Sequence, residues 1–119
     1  MGKPHEQLEA WKIAMQLVKA VYLMTSAFPA EERYGLAQQM RRAAVSIPSN
    51  IAEGAGRNGT KEFLNFIGIA RGSLAELETQ LQLAVMLDFV PSDHVAFELA
   101  DRAGKLLTGL HKKLLATNN

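Results

Sequence analysis

Residues 46–63 read SIPSNIAEGAGRNGTKEF, and they decide the fold. The stretch holds a proline inside an apparent helix, glycines at Gly54, Gly56 and Gly59 in the spacing G-x-G-x-x-G, and a near match to a phosphate-binding loop. A dinucleotide fingerprint needs a strand before its glycines and a parallel sheet around them. Here the preceding residues repeat as a helix. The phosphate-loop match also fails, because GAGRNGTK reverses the final lysine and hydroxyl that would reach phosphate and metal. The stretch therefore reads as a helix end and a turn: Gly54 and Gly56 are expected to permit left-handed backbone, Asn58-Gly59 to turn the chain, and Thr60 to cap the next helix.

Working outward, apolar residues recur every three or four positions in four segments. The first, 6–27, carries Leu8, Trp11, Met15, Val18 and Tyr22, with Ile13, Ala14, Leu17 and Val21 widening the stripe; Trp11 is expected in the core. Phe28-Pro29 ends it, since proline lacks a donor and clashes with the preceding turn. The second, 30–54, opens with Glu31 and Glu32, which suit a helix N-terminus. It aligns Leu36, Met40, Ala43, Ile47 and Ile51 on one side and Arg42, Ser46, Ser49, Glu53 and Arg57 on the other. The third, 60–88, aligns Phe63, Phe66, Ile67, Ala70, Leu74, Leu77, Leu81 and Ala84, while Gly68 and Gly72 would let another backbone approach. The fourth, 93–116, follows Val95, Leu99, Ala103, Leu106, Leu110 and Leu114, with Ser92 as the expected N-cap. The expectation is an all-α fold in one domain over 1–119: an antiparallel up-down four-helix bundle with a proline kink in helix 2. The kink follows from Pro48, which frees the carbonyl of Ala44, and Ser46, Ser49 and Asn50 stand ready to bond loosened backbone.

Composition narrows the function. The chain has 119 residues, 48% hydrophobic and 21% charged, with no cysteine. Disulfides, thiolate metal sites and cysteine nucleophiles are excluded, and the cytoplasm is the default location. The charged N-terminus does not resemble a signal peptide, and no segment reaches the roughly 18 apolar residues of a membrane span. None of His5, His94 and His111 has a glutamate three residues before it, which disfavours a di-iron bundle. His94 and Glu98 share a face but are too few to hold a metal. No catalytic constellation or cofactor motif appears, so the protein is expected not to be an enzyme and to need no cofactor.

The net charge of +1 is unevenly spread, with +4 over 33–61, −6 over 62–101 and +4 over 102–119. The first basic block holds the candidate nucleic-acid contacts Arg41, Arg42, Arg57 and Lys61, the last two placed for a phosphate at the start of the third helix. Arg41 and Arg42 point about 100° apart, and either could instead pair with Glu76 or Glu78.

The segment YGLAQQMRRAAVSIPSNIAEGAGRNGTKEFLNFIGIARGSLAELETQL, residues 34–81, resembles the bacterial four-helix-bundle family named for proteins encoded within intervening sequences of 23S rRNA genes. Trp11 and the Phe28-Pro29 pair also fit, so the likeness covers about 8–114. Arg41, Arg42, Ser46, Pro48, Asn50, Glu53, Gly54 and Arg57 match its characteristic segment. Members are similar to the accessory protein of diversity-generating retroelements, which implies a homo-oligomer, a pentameric barrel of bundles, with a basic surface that binds nucleic acid and a reverse transcriptase. The leading expectation is a self-associating bundle that docks RNA or DNA. The runner-up is a structural or adaptor oligomer that binds another protein, and a small-ligand enzyme using Glu53 or Arg42 comes third.

Overall fold

The computed structural model describes residues 2–117, and within them every regular element is helical. Four α-helices, α1 (Glu9–Thr25), α2 (Leu36–Ala55), α3 (Thr60–Met86) and α4 (Val95–Thr117), form a bundle 48 Å long and 24 × 22 Å across. Each helix packs on two others in the cyclic order α1, α2, α3, α4, with α2 and α3 sharing the largest interface. Ser46 meets Ser73, and Gly54 lies against Phe63 and Phe66, so α3 runs back alongside α2.

Helix ends differ from the periodicity in ways local chemistry explains. A separate 3-10 turn, Pro4–Gln7, precedes α1, and another, Ala30–Glu32, precedes α2. The second helix starts at Leu36, not Ala30, because Gly35 leaves helical geometry (φ −109°, ψ −115°). Glu32 still serves that helix: its carboxylate accepts the free N–H of Leu36 at 3.2 Å. Left-handed backbone is found not at Gly54 or Gly56, whose φ is −85° at the latter, but at Gly59 with φ 112°. Gly59 thus occupies the cap position, and Thr60 is the first helical residue rather than the cap. At the far end of α3, Asp88 adopts φ 62°, and Phe89 N–H reaches back to the Ala84 carbonyl at 2.8 Å, closing the helix as a Schellman turn does. The α4 cap is His94, not Ser92: the Ala96 N–H donates to His94 Nδ1 at 3.1 Å, two residues beyond Ser92.

The core in α1 forms on one half of the expected stripe, the Ile13, Ala14, Leu17 and Val21 side, and in α4 on a line beside the expected one that shares only Ala103 with it. In α1 the buried residues are Ala10, Ile13, Ala14, Leu17, Ala20, Val21, Met24 and Thr25, while Met15 and Tyr22 are exposed and Trp11 is half-buried, its edge against His5 at 5.1 Å between centroids. In α4 the buried line is Ala96, Ala100, Ala103 and Leu107, with Val95 exposed and the remaining leucines at the flanks. The buried line of α4 is mostly alanine, which lets the helix approach closely and leaves the bulkier leucines at the seams. In α2 and α3 the expected lines hold over most of their length: Met40, Ala43, Ile47, Ile51, Ile67, Ala70, Leu74, Leu77, Leu81 and Ala84 are buried, while Leu36, Phe63 and Phe66 at their starts are half-buried.

Gly54 has a packing role. A Cβ there would stand 2.8 Å from Phe66 Cβ and 2.9 Å from Phe63 Cδ1, so only glycine admits both rings at the closest approach of α2 and α3. Gly68 and Gly72 meet nothing within 4 Å of an added Cβ, so they do not serve a contact inside this chain.

Candidate nucleic-acid interface

Arg41 leans from α2 onto α1. Its Nε donates to Thr25 Oγ1 at 2.8 Å and its Nη2 to the Tyr22 carbonyl at 3.3 Å, with the guanidinium 4.5 Å from the centre of the Tyr22 ring. Thr25 is buried and donates its own proton to the Val21 carbonyl at 2.7 Å, which leaves its oxygen lone pairs for Arg41. Three groups therefore fix the guanidinium, and none of them carries a negative charge. The expected pairing with Glu76 or Glu78 does not form: Glu76 accepts from Gln80 at 3.3 Å, and Glu78 lies on the α4 side near Asp101. The tether was missed because Thr25 sits near the end of another helix, and nothing in periodicity links a threonine to an arginine 16 residues away.

Arg42 is exposed, and among the described residues no ion pair involves it or Arg41. Both line a groove of about 440 Å³ with Tyr22, Gln38, Val45 and Ser46. A second, apolar groove of about 360 Å³ continues from it along the α1–α2 seam, floored by Trp11, Met15, Val18, Val45 and Pro48.

Arg57 behaves differently. Its Nε and Nη2 reach Glu53 Oε2 at 3.2 and 2.9 Å, Glu62 lies 4.0 Å from Nη1, and the guanidinium stacks 5.0 Å over Phe66. Two carboxylates thus offset its charge. Lys61 is exposed in the first turn of α3. Arg42 and Arg57 are 15 positions apart, roughly 20 Å along a helical rise, so the four basic candidates form two separate pairs.

Two of the polar residues around Pro48, Ser46 and Asn50, are held by hydrogen bonds. Ser46 and Ser73 share a hydrogen bond of 2.7 Å, and Asn50 Nδ2 donates to the Ser46 carbonyl at 2.8 Å and to its hydroxyl at 3.0 Å. These bonds converge on Ser46, not on the Ala44 carbonyl that Pro48 frees. Ser49 is exposed beside the apolar groove, and Pro48 itself is buried.

Among the described residues no cluster of three or more His, Asp or Glu could hold a metal, and no helix is long and apolar enough to cross a membrane. No curated protein is a significant match. The model of one family, described as 23S rRNA-intervening sequence protein, matches residues 6–110, which spans all four helices but for the last turns of α4. The chain belongs to the 23S rRNA-intervening sequence protein family.

Proposed function

We propose that this protein is a non-enzymatic, cytoplasmic four-helix bundle that self-associates, as a homopentameric ring, and binds RNA or DNA through the basic face of α2. The observation that carries this reading is the state of Arg41. An arginine held by a carboxylate has its charge offset, whereas one held by a hydroxyl, a carbonyl and a ring face keeps its charge and is already ordered for a phosphate. Arg42 beside it adds a second, mobile cation. Repetition of the pair around a ring would turn a modest patch into a multivalent one. Lys61 stands apart from this pair in the first turn of α3, and Arg57 would contribute little, given Glu53 and Glu62.

The test is fluorescence anisotropy with labelled RNA and DNA at about 50 and 200 mM salt, alongside native mass spectrometry. Affinity should fall with salt as counterions are released, and Arg42→Ala should weaken it. Absence of binding to RNA, DNA or their hybrid at low salt would refute the reading. A second reading, an adaptor for another protein such as a reverse transcriptase, draws on the apolar seam with exposed Met15, Tyr22 and Val45. A nuclease-insensitive pull-down dominated by one protein would favour it.

A further inference from the structure

We infer, building on the nucleic-acid reading above, that the ligand is a single strand, and that it runs from Arg42 past Arg41 to Arg33 and Tyr34, away from Arg57 and Lys61. Arg41 lines two hollows at once. One is the groove it shares with Arg42; the other is a pocket of about 260 Å³ between the end of α1 and the start of α2, lined by Thr25, Phe28, Pro29, Arg33 and Ala37 among others. The three arginines are therefore consecutive along one surface, with Arg41 as the shared wall.

The pocket has the chemistry of a phosphate site. Arg33 and Arg41 both contribute to its lining, and no carboxylate does. The nearest acidic neighbour in sequence, Glu32, is turned back to the Leu36 N–H. Among the described residues Arg33 has no ion pair, and it is exposed. The pocket, about 260 Å³, has room for a phosphate group and part of its hydration.

Aromatic side chains interleave with these cations. Tyr34, next to Arg33, is 82% exposed, and Tyr22, under Arg41, is 42% exposed. Aromatic rings beside a basic groove bind unstacked bases, and a duplex keeps its bases stacked inside, so the combination selects a single strand. At the other end of α2, Glu53 and Glu62 would repel a phosphate approaching Arg57.

The deciding experiment compares labelled single-stranded RNA and DNA with duplexes of equal length, using the whole protein and its Arg33→Ala, Tyr34→Ala, Arg42→Ala and Arg57→Ala variants. The single strand should bind at least about tenfold more tightly than the duplex. Arg33→Ala should weaken single-strand binding several-fold and reduce the log–log salt slope by about 0.7, the value for one lost phosphate contact. Tyr34→Ala should weaken it at least about fivefold with the slope unchanged, as loss of one stacked base would. Arg57→Ala should stay within about twofold. Circular dichroism on each variant confirms folding, which these exposed positions should preserve. Equal or tighter duplex binding, or wild-type affinity in both Arg33→Ala and Tyr34→Ala while Arg42→Ala is weakened, overturns this track and leaves the nucleic-acid function standing. Wild-type protein that binds neither form at low salt overturns both.

Discussion

Replacing Gly54 with alanine should destabilise the protein, and replacing Gly72 with alanine should stabilise it, although both glycines lie inside helices. Alanine gains about 1 kcal/mol over glycine in a helix interior, and that gain is common to the two sites. At Gly72 nothing lies within 4 Å of the new methyl, so the gain should appear almost whole. At Gly54 the methyl would meet Phe66 Cβ at 2.8 Å, Phe63 Cδ1 at 2.9 Å and the Phe63 carbonyl oxygen at 3.3 Å. A ring edge can turn aside, but a Cβ and a carbonyl move only with the backbone of α3, so the two helices must separate along their largest interface. Overpacking of this kind costs about 2 kcal/mol, which leaves Gly54→Ala about 1 kcal/mol less stable than wild type and about 2 kcal/mol below Gly72→Ala. Urea denaturation followed by circular dichroism, with equal m-values required, measures the difference. If Gly54→Ala matches or exceeds Gly72→Ala in stability, the close approach of α2 and α3 at this point is wrong.

Thr25→Val removes the acceptor that fixes Arg41 and should cost about 1–2 kcal/mol; in an Arg41→Ala background the cost should shrink, which a double-mutant cycle in urea would measure. Glu53→Gln should change stability by less than about 1 kcal/mol, since the pair is half exposed, and should leave binding to RNA or DNA, read by anisotropy, within about twofold, since the strand runs away from Arg57. Burial, and then the neighbouring charge of Asp101, raise the Glu78 carboxyl above its ordinary 4.5, so the folded state holds the proton more tightly than the unfolded one. The stabilisation linked to that proton is complete below pH 4.5 and is lost as pH rises through the folded value. Glu78→Gln should accordingly be more stable than wild type at pH 7, with the difference narrowing toward pH 4 in paired urea titrations.

The helices were legible in the sequence because α2 and α3 carry a regular apolar line whose members, Met40 to Ile51 and Ile67 to Ala84, are buried as their spacing implies. In α1 the stripe was wide and only its Ile13–Leu17–Val21 half is buried; in α4 the buried line is Ala96, Ala100, Ala103 and Leu107, because periodicity finds a stripe but cannot choose between adjacent stripes when small side chains are the ones that pack. Turn glycines were harder still. Gly54, Gly56 and Gly59 look alike in sequence, but one admits two phenylalanines, one continues in right-handed geometry and one alone has positive φ, distinctions set by where α3 lands. Of the basic candidates, Arg57 with Glu53 four residues before it could have been paired by helical spacing. The partner of Arg41 lies on another helix, and the nearness of Arg33 to Arg41 depends on how the α1–α2 connection folds, so neither was open to pattern reading.

The hydroxyl pair of Ser46 and Ser73 also fixes alignment. A slide of one turn, about 5.4 Å, would carry Phe63 and Phe66 off Gly54 and onto residues with side chains. It would also break the bond between the two hydroxyls, leaving Ser46 with Asn50 alone. The two serines and the glycine act as index marks for one setting of α3 against α2, and so hold the charged groups mounted on the two rods at a constant height.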